Sequence, residues 1–129
     1  MERVTQVFVL LENKPGSAGE LTRILKKKDI SIYAIAMFID SARLHTSKPD
    51  VTLKTLEEYG YHGELREVLR IKLPNKPGAL MQVTQKLGNA GININYLYGT
   101  IDEKQKSGML ILEVDQPDLA LDLFKNHTY

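Results

Sequence analysis

The alternation of apolar and polar positions predicts strands and helices in the same order in both halves of the chain. In the first half, the run at residues 7–11 is typical of a buried strand, and apolar residues then recur at helical spacing. The predicted elements of this half are a strand at 7–11, a helix with Ala18, Leu21, Ile24 and Leu25 on one face, strands at 30–39 and 42–46, a helix that starts near Pro49, and a closing strand at 61–68.

The second half repeats this order as far as its last helix. Its predicted elements are a strand at 69–73, a helix with Leu80, Val83, Thr84 and Leu87 on one face, a strand at 92–101, a polar hairpin at 102–107, a strand at 108–114, and a helix that starts at Pro117. The pattern shows no closing strand after this helix. The second half is therefore predicted to lack its last strand.

The tetrapeptide Asn-Lys-Pro-Gly occurs twice, at residues 13–16 and 75–78, each time between the first strand and the first helix of a half. Residues 7–40 align with 69–102 without a gap, which indicates a duplicated module. We expect domains at residues 1–66 and 67–129. Each follows the βαββαβ order of ferredoxin-like α+β folds, with an antiparallel sheet and helices on one face. The other face, or an edge, is left for a partner.

Composition excludes several classes of function. The 129 residues include 43% hydrophobic and 26% charged residues and carry a net charge of +1, which favours neither nucleic acid nor membrane as a partner. Without cysteine, disulfides, thiolate nucleophiles and cysteine-based zinc sites are excluded. His45, His62 and His127 lie in separate segments, so we predict no metal site, and no cofactor motif is present. The N-terminus has no signal pattern, and the expected location is cytoplasmic.

The repeated loop has the chemistry to hold a zwitterionic amino acid. Free N–H groups at a helix N-terminus suit a carboxylate, and Gly16 or Gly78 lets the backbone approach a ligand closely. The side-chain amides of Asn75 and Asn93 offer both donors and an acceptor. The same residues also serve as a plain turn and cap without a ligand, and this alternative stays open. The loops carry one lysine each and no acidic residue, which favours a small or apolar side chain.

On these residues the chain resembles the ACT domain family, whose members are small regulatory modules that bind amino acids. The second copy carries the fuller motif, Asn75-Lys76-Pro77-Gly78-Ala79-Leu80 followed by Gly91-Ile92-Asn93-Ile94. The whole chain is similar to free-standing tandem ACT proteins, in which Ile-Asn-x-x-Tyr-Leu-Tyr occurs in the second repeat, as it does here at residues 92–98. That subgroup has no catalytic domain attached.

The resemblance implies that an amino acid binds between the loop of one module and the neighbouring module. The residues it assigns to the site are Asn75, Pro77, Gly78, Ala79, Leu80 and Asn93 in the second copy, and Asn13, Gly16, Ser17 and Ala18 in the first. In the first copy Ser31 replaces the second asparagine and Ala18 replaces the leucine, which favours the second site. Leu11 and Leu73 stand where the amino-acid-binding tails of phosphoglycerate dehydrogenases carry a histidine, which argues against serine as the ligand.

These observations predict a regulator, rather than an enzyme, that senses a small amino acid and relays its presence to a metabolic enzyme. We expect a homodimer, because the missing last strand leaves an edge that a second copy can pair with. Two other functions remain open. One is a ligand-free interaction module or regulatory subunit that resembles the small subunit of acetolactate synthase, and the other is an enzyme whose site forms only at an oligomer interface.

Overall fold

The computed structural model describes residues 1–127, which contain four helices and six strands in the predicted α+β arrangement. In chain order the elements are β1 (Glu2–Leu10), α1 (Ser17–Lys27), β2 (Ile32–Met37), β3 (Ser41–Thr46), α2 (Pro49–Glu58), β4 (Gly63–Pro74), α3 (Ala79–Asn89), β5 (Ile94–Thr100), β6 (Ser107–Val114) and α4 (Pro117–Leu123). The prolines of α2 and α4 lie in the first turn, where a missing N–H costs nothing. No helix in this part of the chain is long and apolar enough to cross a membrane.

The first of two compact units runs from Thr5 to Arg66. In its sheet, β3 pairs antiparallel with both β1 and β2, so that Leu44 lies opposite Val7 on one side and Ile35 on the other. Helices α1 and α2 cover one face of this sheet. The buried side chains between the helices and the sheet are Val7, Val9, Leu21, Ile24, Leu25, Ile30, Ala42, Leu44 and Leu56.

The second unit combines Met1–Val4 with the chain from Glu67 onward. Here β6 pairs antiparallel with both β4 and β5, and Leu112 lies opposite Leu69 and Leu97. Helices α3 and α4 cover one face, as in the first unit. The buried core consists of Leu69, Ile71, Val83, Leu87, Ile92, Leu110, Leu112, Val114, Ala120 and Phe124.

The start of β1 occupies the position of the strand that the second module lacks. As predicted, no strand follows α4 within residues 1–127. Met1–Val4 belong to this unit, and β1 adjoins β4 in the strand order. Met1 packs against the unit's core, and the Arg70 guanidinium donates to the Glu2 carboxylate at 3.0 Å. The edge of β4 is therefore filled, and the expectation that a vacant edge there pairs two copies is wrong.

Two strand predictions are corrected by the structure. The segments predicted as separate strands at 61–68 and 69–73 form one strand, β4, because no turn residue interrupts the chain between Gly63 and Pro74. Strand β1 begins at Glu2 rather than at residue 7. Its first residues are polar and exposed, so an apolar pattern gave no sign of them.

The buried face of α3 also differs from the predicted one. Val83 and Leu87 are buried as expected, but Ala79 completes the face and Leu80 is 46% exposed. Residues 79, 83 and 87 are spaced four apart and form one stripe, from which position 80 is rotated by about 100°. Ala18, at the equivalent position of α1, is exposed as well. In both modules this position therefore faces solvent beside the loop.

Deleting Glu2–Val4 tests whether this segment stabilises the second unit. The deletion removes the neighbour of β4, so the free energy of unfolding should fall by about 1–3 kcal/mol, the usual range for lost buried contacts. The newly exposed edge should also promote self-association. Urea unfolding and light scattering measure the two effects.

A double variant, Glu2→Ser with Arg3→Ser, is the matched control for this deletion. It removes the ion pairs of Glu2 with Arg70 and of Arg3 with Glu67 and Asp118, but it keeps the backbone of the strand. Because exposed ion pairs contribute little, the control should lose much less stability than the deletion. Equal losses would show that the side chains, and not the strand, hold the segment in place.

Acidification should weaken the second unit through His127. Burial lowers the pKa of this side chain, and the N-terminal ammonium and Lys86 act in the same direction. The unfolded chain therefore binds a proton at His127 more readily than the folded chain does. The contribution of neutral His127 to the free energy of unfolding is fully present above the ordinary histidine pKa of about 6.5, and it is lost as the pH falls below that value. Urea unfolding at about pH 7.5 and about pH 5 should show a larger loss in the parent chain than in His127→Gln. Equal losses would rule out this contribution.

Candidate functional site

Each repeated loop ends in a glycine with a left-handed backbone conformation. Gly16 and Gly78 both have a φ of 89°, which other residues adopt only with strain. A Cβ atom at either glycine would meet nothing within 4 Å among the described residues. The backbone angle therefore requires glycine here, and the space beside it is open. The helix that follows has no side-chain cap in either module, as far as residues 1–127 show.

The first turn of α3 presents two N–H groups to its surroundings. The Ala79 N–H donates to the Lys76 carbonyl oxygen at 3.3 Å. The next two N–H groups, of Leu80 and Met81, have no acceptor within the helix, as helix geometry dictates. Both residues are about half exposed. The positive end of the helix dipole lies at the same point, so this turn is suited to an anionic group.

A cavity of about 390 Å³ opens beside this turn. The loop contributes Asn75 and Lys76 to its lining, α3 contributes Leu80, β5 contributes Leu97, and β6 contributes Met109. The lining is mostly apolar, and Lys76 is its charged member. We call this space the second-module cavity.

Strand alternation determines which residues of β5 reach the second-module cavity. Leu97 lies opposite the buried Leu112, so it shares the face of the sheet that the helices cover. Tyr96 and Tyr98 point to the opposite face, where their rings stack with centroids 6.5 Å apart. The two tyrosines therefore pack on the sheet and do not line this cavity.

Asn75 uses its side chain to hold the β5–β6 hairpin. Its amide nitrogen lies 2.9 Å from the carbonyl oxygen of Gln105, 3.3 Å from that of Glu103 and 3.4 Å from that of Asp102. Its backbone N–H donates to the Lys106 carbonyl oxygen at 2.8 Å. The Asn75 amide donors, which the sequence suggested could bind a ligand, thus form hydrogen bonds to the hairpin instead.

Asn13, the equivalent residue of the first loop, has no such role. Its side chain makes no hydrogen bond within residues 1–127. The β2–β3 connection spans only residues 38–40, whereas the β5–β6 connection spans 101–106. The longer hairpin of the second module is what brings carbonyl oxygens to Asn75.

Asn93 lies at the far end of the module from the loop. Its backbone N–H donates to the Asp115 carboxylate at 2.9 Å, just beyond the end of β6. The backbone N–H of Asn75 is bonded to Lys106, just before the start of β6. The strand between these points spans about 25 Å at roughly 3.3 Å per residue. The structure therefore does not bring Asn75 and Asn93 of one module together.

The first module has a larger cavity, of about 560 Å³, beside its own loop. Residues 14–17 of the loop, Glu20 of α1 and the segment 59–62 between α2 and β4 line this first-module cavity. The Lys14 ammonium lies 2.9 Å from the Glu12 carboxylate, and this hydrogen bond lowers the pKa of Glu12. Burial raises the pKa of Tyr61. The lining is thus rich in ionisable groups, unlike that of the second module.

Comparison with known proteins identifies these modules. The sequence matches the family described as an ACT domain pair over residues 2–127. The chain belongs to the ACT domain family. The recognition from the sequence is confirmed, although no curated protein matches the chain.

Solved structures show the same fold as this ACT pair. Protein BT0572 from Bacteroides thetaiotaomicron is 29% identical with a TM-score of 0.87, over 96% of this chain and 88% of that one. The ligand-free regulatory subunit of aspartate kinase from Thermus thermophilus is 14% identical with a TM-score of 0.70, over 98% and 97%. Escherichia coli aspartokinase III in complex with lysine and aspartate is 18% identical with a TM-score of 0.61, over 97% of this chain and 31% of that one.

The predicted site residues of the ACT pair lie in different surroundings. Asn75 and Leu80 line the second-module cavity, and Gly16 and Ser17 line the first. The remaining predicted residues do not line either cavity: Asn13, Ala18, Pro77 and Gly78 are exposed, Ala79 is buried in the core, and Asn93 lies at the far end of its module. Contact of any of these residues with a ligand stays a prediction.

Sequence analysis missed the strand residues that line the second-module cavity. Leu97, Ile101 and Met109 come from β5, the hairpin and β6, and each lies far from the loop in sequence. The sequence contains one sign of these residues: side chains alternate between the two faces along the predicted second strand, which places Leu97 on the opposite face from Tyr96 and Tyr98. Within the described chain, no group of histidine, aspartate and glutamate side chains is arranged to hold a metal ion.

Asn75→Asp tests the role of Asn75 in the ACT pair. The substitution keeps the side-chain shape but replaces the amide donor with a carboxylate, which cannot donate to the hairpin carbonyl oxygens. Losing a hydrogen bond worth about 1 kcal/mol should make the amides of residues 102–106 exchange with solvent about five times faster. Hydrogen exchange followed by NMR measures this change.

Asn13→Asp is the matched control. It makes the same substitution in the first loop, where no hairpin bond is lost, so exchange in the β2–β3 and β5–β6 hairpins should stay as in the parent chain. If the control accelerates exchange at 102–106 as much as Asn75→Asp, the clamp is not specific to Asn75.

Proposed function

We propose that this ACT pair is a regulatory protein that binds a free amino acid at the second loop and relays its presence to a cytoplasmic enzyme of amino-acid metabolism. The main support is the first turn of α3, where the Leu80 and Met81 N–H groups have no acceptor within the helix and Leu80 lines the second-module cavity. An α-carboxylate would accept from these groups at the positive end of the helix dipole. The side chain of the ligand would then enter the cavity.

The other predicted residues have defined parts in this proposal. Pro77 and Gly78 shape the loop, and the side-chain carbonyl oxygen of Asn75 is an acceptor for the ligand's ammonium group, since the nitrogen of the same amide faces the hairpin. A residue in the position of Asn93 would reach such a ligand only from a neighbouring module. The first loop, with Asn13, Gly16, Ser17 and Ala18, forms a second candidate position.

The fold of the relatives supports a regulatory rather than a catalytic role. The Thermus thermophilus protein is a regulatory subunit of aspartate kinase, and the Escherichia coli aspartokinase III structure contains lysine and aspartate in the T-state. We extend to this chain only the general arrangement, in which an ACT pair acts on an enzyme of amino-acid metabolism. We further propose that it acts as a homodimer.

Regulation by such a site follows from linkage. An amino acid shifts the activity of the partner only to the extent that it binds one arrangement of the modules more tightly than another. The coupling is reciprocal, so the partner should change the affinity for the amino acid by the same factor. A ligand that contacts both the loop and a neighbouring module meets this requirement.

Thermal unfolding in the presence of each common amino acid tests the proposal. A ligand at about 100 times its dissociation constant should stabilise the protein by about 2.7 kcal/mol. The carboxamide analogue of the same amino acid should give no such shift, because it lacks the charged group that the N–H groups of Leu80 and Met81 would bind.

NMR then identifies the occupied loop. Binding should move the amide resonances of residues 78–81, and those of residues 16–19 serve as the internal comparison. If no amino acid changes the unfolding temperature, the proposed function is wrong. If the carboxamide binds as well as the amino acid, the role of the helix N-terminus is wrong.

A further inference from the structure

Two identical loops open onto cavities of different chemistry. Around the first loop, Glu12, Lys14 and Glu20 place charges at the first-module cavity, and Tyr61 adds a hydroxyl group. Around the second loop, Lys76 is the charged side chain in the lining. Because both loops have the same sequence and the same glycine conformation, the part of a ligand that meets the backbone is recognised alike. Any difference in selectivity must come from the rest of the lining.

The second-module cavity combines apolar side chains from three elements. Leu80 and Leu97 are 46% and 37% exposed, so both present apolar surface at the cavity. Leu110 of β6 lies opposite Gly99 and Ile71 on the face that the helices cover, and it completes the apolar lining as a buried residue. Ile101, from the hairpin that Asn75 holds, also lines the cavity and is 44% exposed.

We infer that the second-module cavity selects an amino acid with a bulky apolar side chain, of the leucine, isoleucine, methionine or phenylalanine class. This inference rests on the proposed function and specifies its ligand. An apolar side chain would cover Leu80, Leu97 and Ile101 and remove their surface from water. A polar side chain would lose its hydrogen bonds to water without gaining partners from these residues, and a lysine or arginine side chain would also meet Lys76.

The volume of the cavity indicates that the smallest amino acids are not the ones that bind most tightly. At about 390 Å³ it lies within the roughly 300–1,000 Å³ of ordinary small-molecule sites. Glycine, alanine or serine would leave most of the apolar lining uncovered. Since one methylene group changes affinity by about 10-fold or more in such a pocket, leucine should bind at least about 10-fold more tightly than alanine.

Titration calorimetry with leucine, phenylalanine, alanine, serine, aspartate and lysine tests this inference on the parent chain and two variants. In Leu80→Ser the lining loses an apolar side chain, so leucine affinity should fall by about 10-fold. Leu119→Ser is the matched control: Leu119 is also an exposed helix leucine of this module, at 42%, but it does not line the cavity. It has no part in the proposed site, so this variant should bind leucine as the parent does. Both changed residues are exposed, and circular dichroism checks that the variants fold.

The outcomes separate this inference from the proposed function. Tighter binding of leucine or phenylalanine than of the polar amino acids, weakened by Leu80→Ser alone, supports it. If serine, aspartate or lysine binds more tightly than every apolar amino acid, the inferred selectivity is wrong while the proposed function stands. If leucine binds but moves the amides of residues 16–19 instead of 78–81, the assigned cavity is wrong. If no amino acid binds, both fail.

Discussion

The positive φ of Gly16 and Gly78 is the constraint on which both modules depend. It turns the chain from a strand of the sheet into a helix that packs on the same sheet, so that Val83 and Leu87 reach the side chain of Ile71 in one core. Because the turn is made by a backbone conformation without a side-chain cap, the first N–H groups of the helix stay available. The arrangement that builds the core therefore also leaves unpaired N–H groups at its edge.

The duplication preserved this turn while the residues around it diverged. The longer hairpin of the second module gave Asn75 three carbonyl oxygens within reach, whereas Asn13 kept the loop position without them. The charged pair Glu12 and Lys14 has no counterpart at the second cavity. Identical motifs thus occupy different chemical environments, and the motif alone does not predict the lining of the cavity beside it.

Sequence patterns predicted the elements well wherever local chemistry decides them. The repeated loop and the prolines that start α2 and α4 specify their turns through backbone constraints. These constraints depend only on the residues of the segment itself, so they can be predicted from the sequence. The exposed position of Leu80 and the hairpin clamp of Asn75 depend on contacts with distant strands, which periodicity does not record. Periodicity also failed to predict the strand at Glu2–Val4, because its polar residues are strand-forming only through the neighbouring β4.

Strand β1 belongs to both units, since Met1–Val4 are part of one and the rest of the strand is part of the other. A cut at residue 66 would therefore not release two intact modules, because the second would lose its edge segment. A self-contained second module would need this segment moved behind α4, as in a circular permutation. The two halves of the sequence are thus not the two halves of the fold: a chimaera that takes its second module from a relative would also need that relative's first four residues to keep the contacts within this unit.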